Sequence, residues 1–337
     1  MFSPMRIKDL VCCPRCKGAL TFDNLTEYEL GVINGQLSCP SCKQCYPIRD
    51  GILIMLASEI NTASKDWNLA SFNALYKEME NEQSSREWLA KLRVPREIAD
   101  YEYQKVKGRM MDWLQVPDNG TVLDVGAGSG YFVFEIMARL GKAGVSFVGI
   151  DPSIEHIKWL EHRKKNEKQN NILAVLGDAR ALPFWPHTFD VIICSEVLEH
   201  IPSKRAAIGE MARVLKPQGT LLLSTPSKSA LDFWDLMSAP FRWILLFTAR
   251  GRELAYDRPV YPNDLQRYLK EAGFSIENFE LNVIMPPLSY FAHLPKFLGR
   301  PMPIISGFLE NHMKTLLARR LALCIVLLAR KTHESRL

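Results

Sequence analysis

Two kinds of chemistry are written into different parts of this chain. Cys13-x-x-Cys16 and Cys39-x-x-Cys42 each set two thiols on one tight turn, with Cys12 and Cys45 beside them. Six of the eight cysteines fall within the first 45 residues, while Cys194 and Cys324 stand apart in apolar, strand-like runs. Two such turns brought together aim four sulfurs at one point, the tetrahedral shell of a structural zinc ion. Free buried cysteines or a redox CxxC pair are the competing readings. A closed shell leaves no open position, so zinc at Cys13, Cys16, Cys39 and Cys42 is expected to hold the fold; Cys12 and Cys45 are spare thiols that could substitute.

The second chemistry begins at "TVLDVGAGSGYFVFEIMARLG", an apolar strand running into Gly126-Ala127-Gly128-Ser129-Gly130 and then an amphipathic helix. Glycines there let the backbone turn sharply and let a ligand approach. The GxGxG spacing brings the third glycine one residue earlier than the dinucleotide fingerprint GxGxxG, and a glycine loop alone says little. Further strands follow: "SFVGI" ending at Asp151, "NILAVLGD" ending at Asp178, "FDVIICSE", and "GTLLLSTP". Asp151 falls where nucleotide-binding α/β folds place a ribose-binding carboxylate. Near-continuous apolar strands alternating with helices imply a parallel sheet covered on both faces, with ligands beyond the carboxyl ends of the strands. As a set, the strand-end acids are more than helix caps.

The elements that must position these groups divide the chain into a zinc ribbon at 1–57, a helical linker at 58–117 and a catalytic domain at 118–337. Asn34-Gly35, flanked by alternating apolar residues, predicts the turn of a ribbon hairpin. In the linker, Val106, Met110, Trp113 and Leu114 fall near one helix face; Tyr101 and Tyr103 are candidates to cover a ligand, although packing explains them as well.

Two resemblances follow from these motifs. CPRC, CPSC, Tyr46-Pro47-Ile48 and Asp50-Gly51-Ile52 resemble the small zinc-ribbon domain that activates tRNA, rRNA and release-factor methyltransferases. Residues 106–230 resemble the class I S-adenosylmethionine (SAM)-dependent methyltransferases, with "VLDVGAGSGYF", "VGIDPS", "LGDARALPF", "FDVIICSEVLEHI" and "RVLKPQGTLLLSTP" standing as its successive motifs. The fold implied is α/β, Rossmann-like, with a seven-stranded, mostly parallel sheet. By resemblance, Gly126, Ala127, Gly128 and Gly130 line the methionine end of SAM, and Asp124 orients the loop and the SAM amino group. Asp151 accepts from the ribose hydroxyls. Asp178 and Ala179 meet the adenine, Pro152 helps form its slot, and Ser195 also faces the cofactor.

The acceptor is less legible, because methyl transfer needs only alignment and, where the acceptor carries a proton, its removal. Glu196-x-x-Glu199-His200, read as one helix turn, would place all three side chains on one face. They are the candidate catalytic residues: His200 as a base, or the three as ligands of a divalent cation. The pattern resembles that of ubiquinone-pathway O-methyltransferases and small-RNA 2′-O-methyltransferases, where it holds a metal, although "EVLEH" also occurs in many relatives without one.

Composition bounds the function. The 337 residues, 47% hydrophobic with a formal net charge of +5, allow a sizeable core and do not demand nucleic acid. No basic stripe suited to RNA stands out. Neither "FRWILLF" nor "LALCIVLLA" reaches the roughly 20 apolar residues of a membrane span. With no secretory signal in "MFSPMRIKDL", a cytoplasmic, reducing location is expected, with peripheral association at the inner face of a membrane as an extension. Insertions at 227–262 and 284–318, rich in Phe, Trp, Leu, Met and Pro with scattered basic residues, are expected to form an apolar lid over the acceptor. Such a lid suits a small hydrophobic or lipid-like substrate, though extra core is an equal use for those residues. Methylation of tRNA, rRNA or protein aided by the ribbon, and SAM binding without turnover, are the alternatives.

Overall fold

The computed structural model describes residues 4–28, 31–56, 96–141, 144–238, 258–284, 301–312 and 321–332. The first part of the expected linker and most of both expected lid insertions lie outside these residues. Eleven strands form one sheet. The ribbon supplies β1 (Thr21–Tyr28), β2 (Gly31–Ser38), β3 (Cys45–Arg49) and β4 (Ile52–Ile54). The remainder are β5 (Thr121–Val125), β6 (Ser146–Asp151), β7 (Ile172–Leu176), β8 (Phe189–Ser195), β9 (Leu215–Pro226), β10 (Phe274–Asn282) and β11 (Cys324–Lys331). The strand order is β1-β2-β3-β4-β7-β6-β5-β8-β9-β11-β10. Pairing from β4 through β9 is parallel, and β11 returns antiparallel between β9 and β10.

The seven strands from β5 to β11 are those expected, but the sheet does not stop at seven, and the ribbon is not a module set apart from it. Strand β7 would otherwise be an edge with a row of unpaired backbone groups. Ile52, Leu53 and Ile54 pair with Ala174, Val175 and Leu176, and the Met55 amide donates to the Leu176 carbonyl at 2.8 Å. The cores merge as well. On one face of the sheet Ile7, Leu37, Tyr46, Ile48, Leu53 and Met55 of the ribbon pack in one cluster with Leu123, Val175, Phe184 and Ile192. Alternate residues, among them Val122, Ala174, Val191 and Ile193, enter the core on the other face, as the two-residue period of a strand requires.

The described helices are α1 (Pro4–Leu10), α2 (Arg96–Tyr103), α3 (Arg109–Trp113), α4 (Tyr131–Leu140), α5 (Ile154–Asn166), α6 (Lys204–Val214), α7 (Lys228–Ser238), α8 (Pro262–Glu271) and α9 (Met302–His312). A π-helical turn, Gln104–Gly108, joins α2 to α3. The ribbon's tip differs from expectation. Tyr28 pairs with Gly31 at the end of the hairpin, and Asn34-Gly35 lies inside β2 opposite a bulge. Opposite Gly35 the extra residue is on β1, where Asn24 adopts φ 52° and Leu25 crowds Gly35 so closely that a Cβ there would stand 2.6 Å from Leu25 Cδ2. Asn34 is used instead to accept from the Asp50 amide at 3.2 Å.

A ribbon strand built into the catalytic core makes a testable demand. Leu53 is 1% exposed, and Leu53→Ala should cost about 2–4 kcal/mol. Residues 1–57 contain no tryptophan. The loss should nevertheless appear as a lower denaturant midpoint of the tryptophan-fluorescence transition; an unmoved midpoint would mean that the ribbon folds apart.

Candidate active site and metal centre

The glycine loop leaves β5 at the centre of the parallel strands. Gly126 has φ 72°, and a Cβ there would meet Val197 Cγ2 at 2.2 Å. Its amide and that of Ala127 donate to the Ile150 carbonyl at 2.8 and 3.1 Å. Gly130 has φ 85°, and a Cβ there would meet Leu160 at 2.5 Å. Gly128 differs: at φ 54° a Cβ would meet nothing within 4 Å, so its missing side chain keeps open a space above the loop. Asp124, 3% exposed, carries an Oδ2 that is buried without a hydrogen-bond partner. Burial pushes its carboxyl up to about 7, opposed by Lys107 and reinforced by Asp151.

Asp151 ends β6. Its Oδ1 accepts from the Ser153 amide at 2.8 Å and its Oδ2 from the Gly128 amide at 3.1 Å, with His156 Nδ1 3.3 Å from Oδ1. One carboxylate therefore joins the second strand end to the glycine loop, and each oxygen keeps a lone pair for a hydroxyl. Pro152 follows, half-buried. Asp178 lies two residues beyond β7 and caps the short turn Ala179–Ala181. Its two oxygens are clasped by Arg180 Nε and Nη2 at 2.7–3.1 Å, so a flat base at this strand end would be read by Ala179 and the backbone.

The Glu196, Glu199 and His200 cluster is not built as expected. Glu196 has φ 54° and lies before a short 3-10 turn, Leu198–His200, because its amide is drawn to the Ser224 carbonyl at 3.0 Å. The three side chains therefore do not share a helix face. Ser224 Oγ donates to Glu196 Oε1 at 2.8 Å, and Ser195 Oγ lies 3.0 Å from Ser224 Oγ. Glu199, buried, accepts from Thr225 Oγ1 at 3.0 Å, and His200 Nε2 is 3.8 Å from Glu199 Oε1. Burial and the neighbouring Glu196 push Glu199 up to about 8.

Two residues near this site carried no sequence signal. The Lys107 ammonium stands 4.3 Å from the Tyr131 ring, 4.9 Å from Tyr103 and 5.6 Å from Phe132, at the start of α4. Glu102, on α2, accepts from the Cys324 thiol at 3.8 Å; burial and Glu196 push it up to about 7. Both residues reach the site from helices distant in sequence, with no motif around them.

At the ribbon, Cys13, Cys16, Cys39 and Cys42 bring their sulfurs within 4.8 Å of one another, and this is the one compact group of three or more metal-capable side chains among the described residues. Glu196, Glu199 and His200 do not form such a group. Cys13 and Cys42 sulfurs are 3.5 Å apart, as are those of Cys16 and Cys39. Burial pushes the Cys39 thiol up, but the Cys42 and Ser41 amides and neighbouring thiols draw it down to about 7. The Tyr46 hydroxyl lies 3.2 Å from Cys13 Sγ. Neither spare thiol joins the group: Cys12 is buried and Cys45 sits 3.7 Å from Ser38 Oγ.

Comparison with known proteins agrees with both parts. A methyltransferase-domain family model matches residues 117–273, and a Trm112p-like protein model matches residues 6–51. A ubiquinone biosynthesis O-methyltransferase from Neisseria meningitidis is 31% identical over 164 residues, 46% of this chain and 63% of that protein. A demethylmenaquinone methyltransferase from Bacillus licheniformis is 30% identical over 149 residues, 44% of this chain and 63% of that protein. The chain thus spans less than two thirds of the curated relatives it matches. A solved complex between the Haloferax volcanii Trm112 methyltransferase activator and a methyltransferase aligns over 80% of this chain and 100% of that one, with TM-score 0.50 and 15% identity, and shares the fold.

The residues present fit the cofactors of these domains, zinc in the ribbon and SAM in the larger domain. Four converging thiols suit zinc. The partnerless Asp124 oxygen suits an ammonium, and the open space over Gly128 suits a ligand in close approach. Asp124→Asn should weaken S-adenosylhomocysteine binding by about 1.5–3 kcal/mol in calorimetry, the range for a hydrogen bond to a charged group. In the wild type, affinity should fall as pH drops through about 7, where Asp124 takes up a proton; that dependence should be lost in the variant, and an affinity indifferent to the substitution would remove Asp124 from the site. Residues 117–273 accordingly match a methyltransferase-domain family model on an α/β fold, and residues 6–51 match a Trm112p-like protein model, the strands of the two joined in one sheet.

Proposed function

We propose that this protein transfers the methyl group of SAM to an oxygen of a small hydrophobic or lipid-like acceptor. The observation that carries the methyl-transfer reading is the arrangement of Asp124, Gly128 and Asp151 around one loop at the carboxyl ends of β5 and β6. In this reading Asp124 holds the cofactor's ammonium and Lys107 its carboxylate. Asp151 takes the ribose hydroxyls, and Pro152, Ala179 and the backbone near Asp178 take the adenine. SAM supplies an electrophilic methyl when bound; the chain's own task is to align the acceptor and take its proton.

With the cofactor over β5, β6 and β7, the acceptor falls over β8, β9 and β11, beside Ser195, Glu196, Glu199 and His200. The described parts of the lid support an apolar acceptor. Leu236 on α7 and Ile304 and Phe308 on α9 are 72%, 78% and 60% exposed. Glu310 ties α9 to α2, accepting from Tyr101 Oη at 3.1 Å and pairing with Lys105 at 2.7 Å. The relatives named as a ubiquinone biosynthesis O-methyltransferase and a demethylmenaquinone methyltransferase support the same class. Among the described residues no helix is long and apolar enough to cross a membrane; the exposed apolar side chains of α7 and α9 are the ones that would meet a lipid acceptor. The Trm112p-like ribbon favours a second reading, transfer to RNA or protein.

Incubation with methyl-labelled SAM and, separately, a total lipid extract, total RNA and total protein separates these readings. Label should enter a chloroform-soluble product. Label in RNA or protein alone would support the second reading, and binding of SAM with label in no fraction would leave a SAM-binding protein without turnover.

A further inference from the structure

We propose that Glu102, on the helix before the glycine loop, is the residue that takes the acceptor's proton. This deepens the oxygen-methylation reading and rests on it. Cys324, whose thiol donates to Glu102, opens β11 and pairs with Pro226, the last residue of β9. The preceding β9 residues, Ser224 and Thr225, hold Glu196 and Glu199. Glu102 therefore stands at the carboxyl end of β9 and the amino end of its antiparallel neighbour β11, on the side of the sheet left to the acceptor once a cofactor covers β5 to β7. The helical path changes next to it, from α2 to the π-helical turn Gln104–Gly108, and such turns recur at functional sites.

The neighbouring candidates are already engaged. Glu196 accepts from Ser224, Glu199 accepts from Thr225, and His200 faces Glu199. The thiol on Glu102 is a weak donor that leaves its carboxylate most of its accepting capacity. The residue is half-buried, and burial is the largest influence on its carboxyl, which partly shields a proton acceptor there from bulk water. An independent sign that a polar group arrives here is Ser227, directly after β9. It is 0% exposed, and its hydroxyl has no hydrogen-bond partner. The titratable groups facing Glu102 are Glu196, from the loop after β8, and Cys324, from β11. Together with burial, they set a carboxyl that titrates near neutrality, where a general base is most effective.

The step balances without a co-reactant. A lone pair on the acceptor oxygen forms the bond to the methyl carbon. The carbon–sulfur bond breaks with its electron pair going to sulfur, and the oxygen's proton passes to Glu102, which later returns it to water. The products are a methyl ether and S-adenosylhomocysteine.

The test uses the full chain and, as probe, a catechol carrying a short isoprenyl chain. Glu102→Gln should lower methyl transfer to the probe by roughly 10²–10³-fold. Its affinity for S-adenosylhomocysteine and its melting temperature should stay at wild-type values. The wild-type fall in kcat/KM below about pH 7 should flatten in this variant, and Glu102→Asp, which keeps the carboxyl, should recover part of the rate. Calorimetry on protein loaded with S-adenosylhomocysteine should show weaker probe binding by Glu102→Gln. Transfer by Glu102→Gln within threefold of wild type, or an unchanged pH profile, would overturn the assignment while leaving the oxygen-methylation reading intact. Wild-type protein that binds S-adenosylhomocysteine but neither binds nor methylates the probe would overturn both.

Discussion

The parallel pairing of Ile52–Ile54 with Ala174–Leu176 is the contact on which the rest of the molecule depends. It turns an exposed sheet edge into an interior pair and brings the ribbon's apolar residues onto the core that supports β5 and β8. Zinc has a place in this arrangement because a segment of this size has too little core of its own to fold alone. The four cysteines fix the turns that present β2, β3 and β4 to the larger domain.

The same docking reaches the strand end proposed to hold the cofactor. Beyond Asp178 and Ala179 the chain runs directly along the ribbon. Lys17 Nζ donates to the Leu182 carbonyl at 3.1 Å and pairs with Glu210 at 2.7 Å, the Cys12 amide donates to the Pro183 carbonyl at 2.9 Å, and the Trp185 amide donates to the Leu10 carbonyl at 3.0 Å. Val11 bridges Phe184. On the neighbouring helix Lys165 donates to the Asp50 carbonyl at 2.9 Å, and Gly51 lies where a Cβ would strike Glu161 at 2.3 Å. The segment that follows β7 is held on one side by β6, through the Gly177 amide on the Asp151 carbonyl, and by α6, through Arg213 on the Leu182 and Phe184 carbonyls, and on the other by the ribbon. The zinc-binding turns, the backbone contacts between the ribbon and residues 174–185, and the strand end proposed for the adenine form one mechanical unit, whereas the proposed acceptor end is bordered by α2 and α9.

What could be read from the sequence was whatever local spacing enforces. Two CxxC turns specify a four-sulfur shell by themselves. Gly126, Gly128 and Gly130 announce positive φ in series, and Asp124, Asp151 and Asp178 stand at strand ends that apolar runs make visible. What could not be read depended on contacts between distant segments. Ile52–Ile54 looks like any short apolar run until β7 is beside it. Asn34-Gly35 has the composition of a turn, but the bulge at Asn24 and Leu25 claims it for a strand. Glu196 falls in a helical spacing, yet the Ser224 carbonyl pulls its backbone out of the helix. Lys107 and Glu102 sit on an ordinary-looking amphipathic segment, and only the fold brings one over the aromatic start of α4 and the other to Cys324.

Amide hydrogen exchange before and after zinc chelation tests the central claim, that the ribbon and the methyltransferase domain are one cooperative structure. If it holds, removing zinc should raise exchange at the Met55 and Cys12 amides and equally at the Trp185 amide and along β7 and the turn after it, since these share the hydrogen bonds described above. Faster exchange confined to residues 6–51, with β7 and residues 178–185 as protected as before, would contradict it.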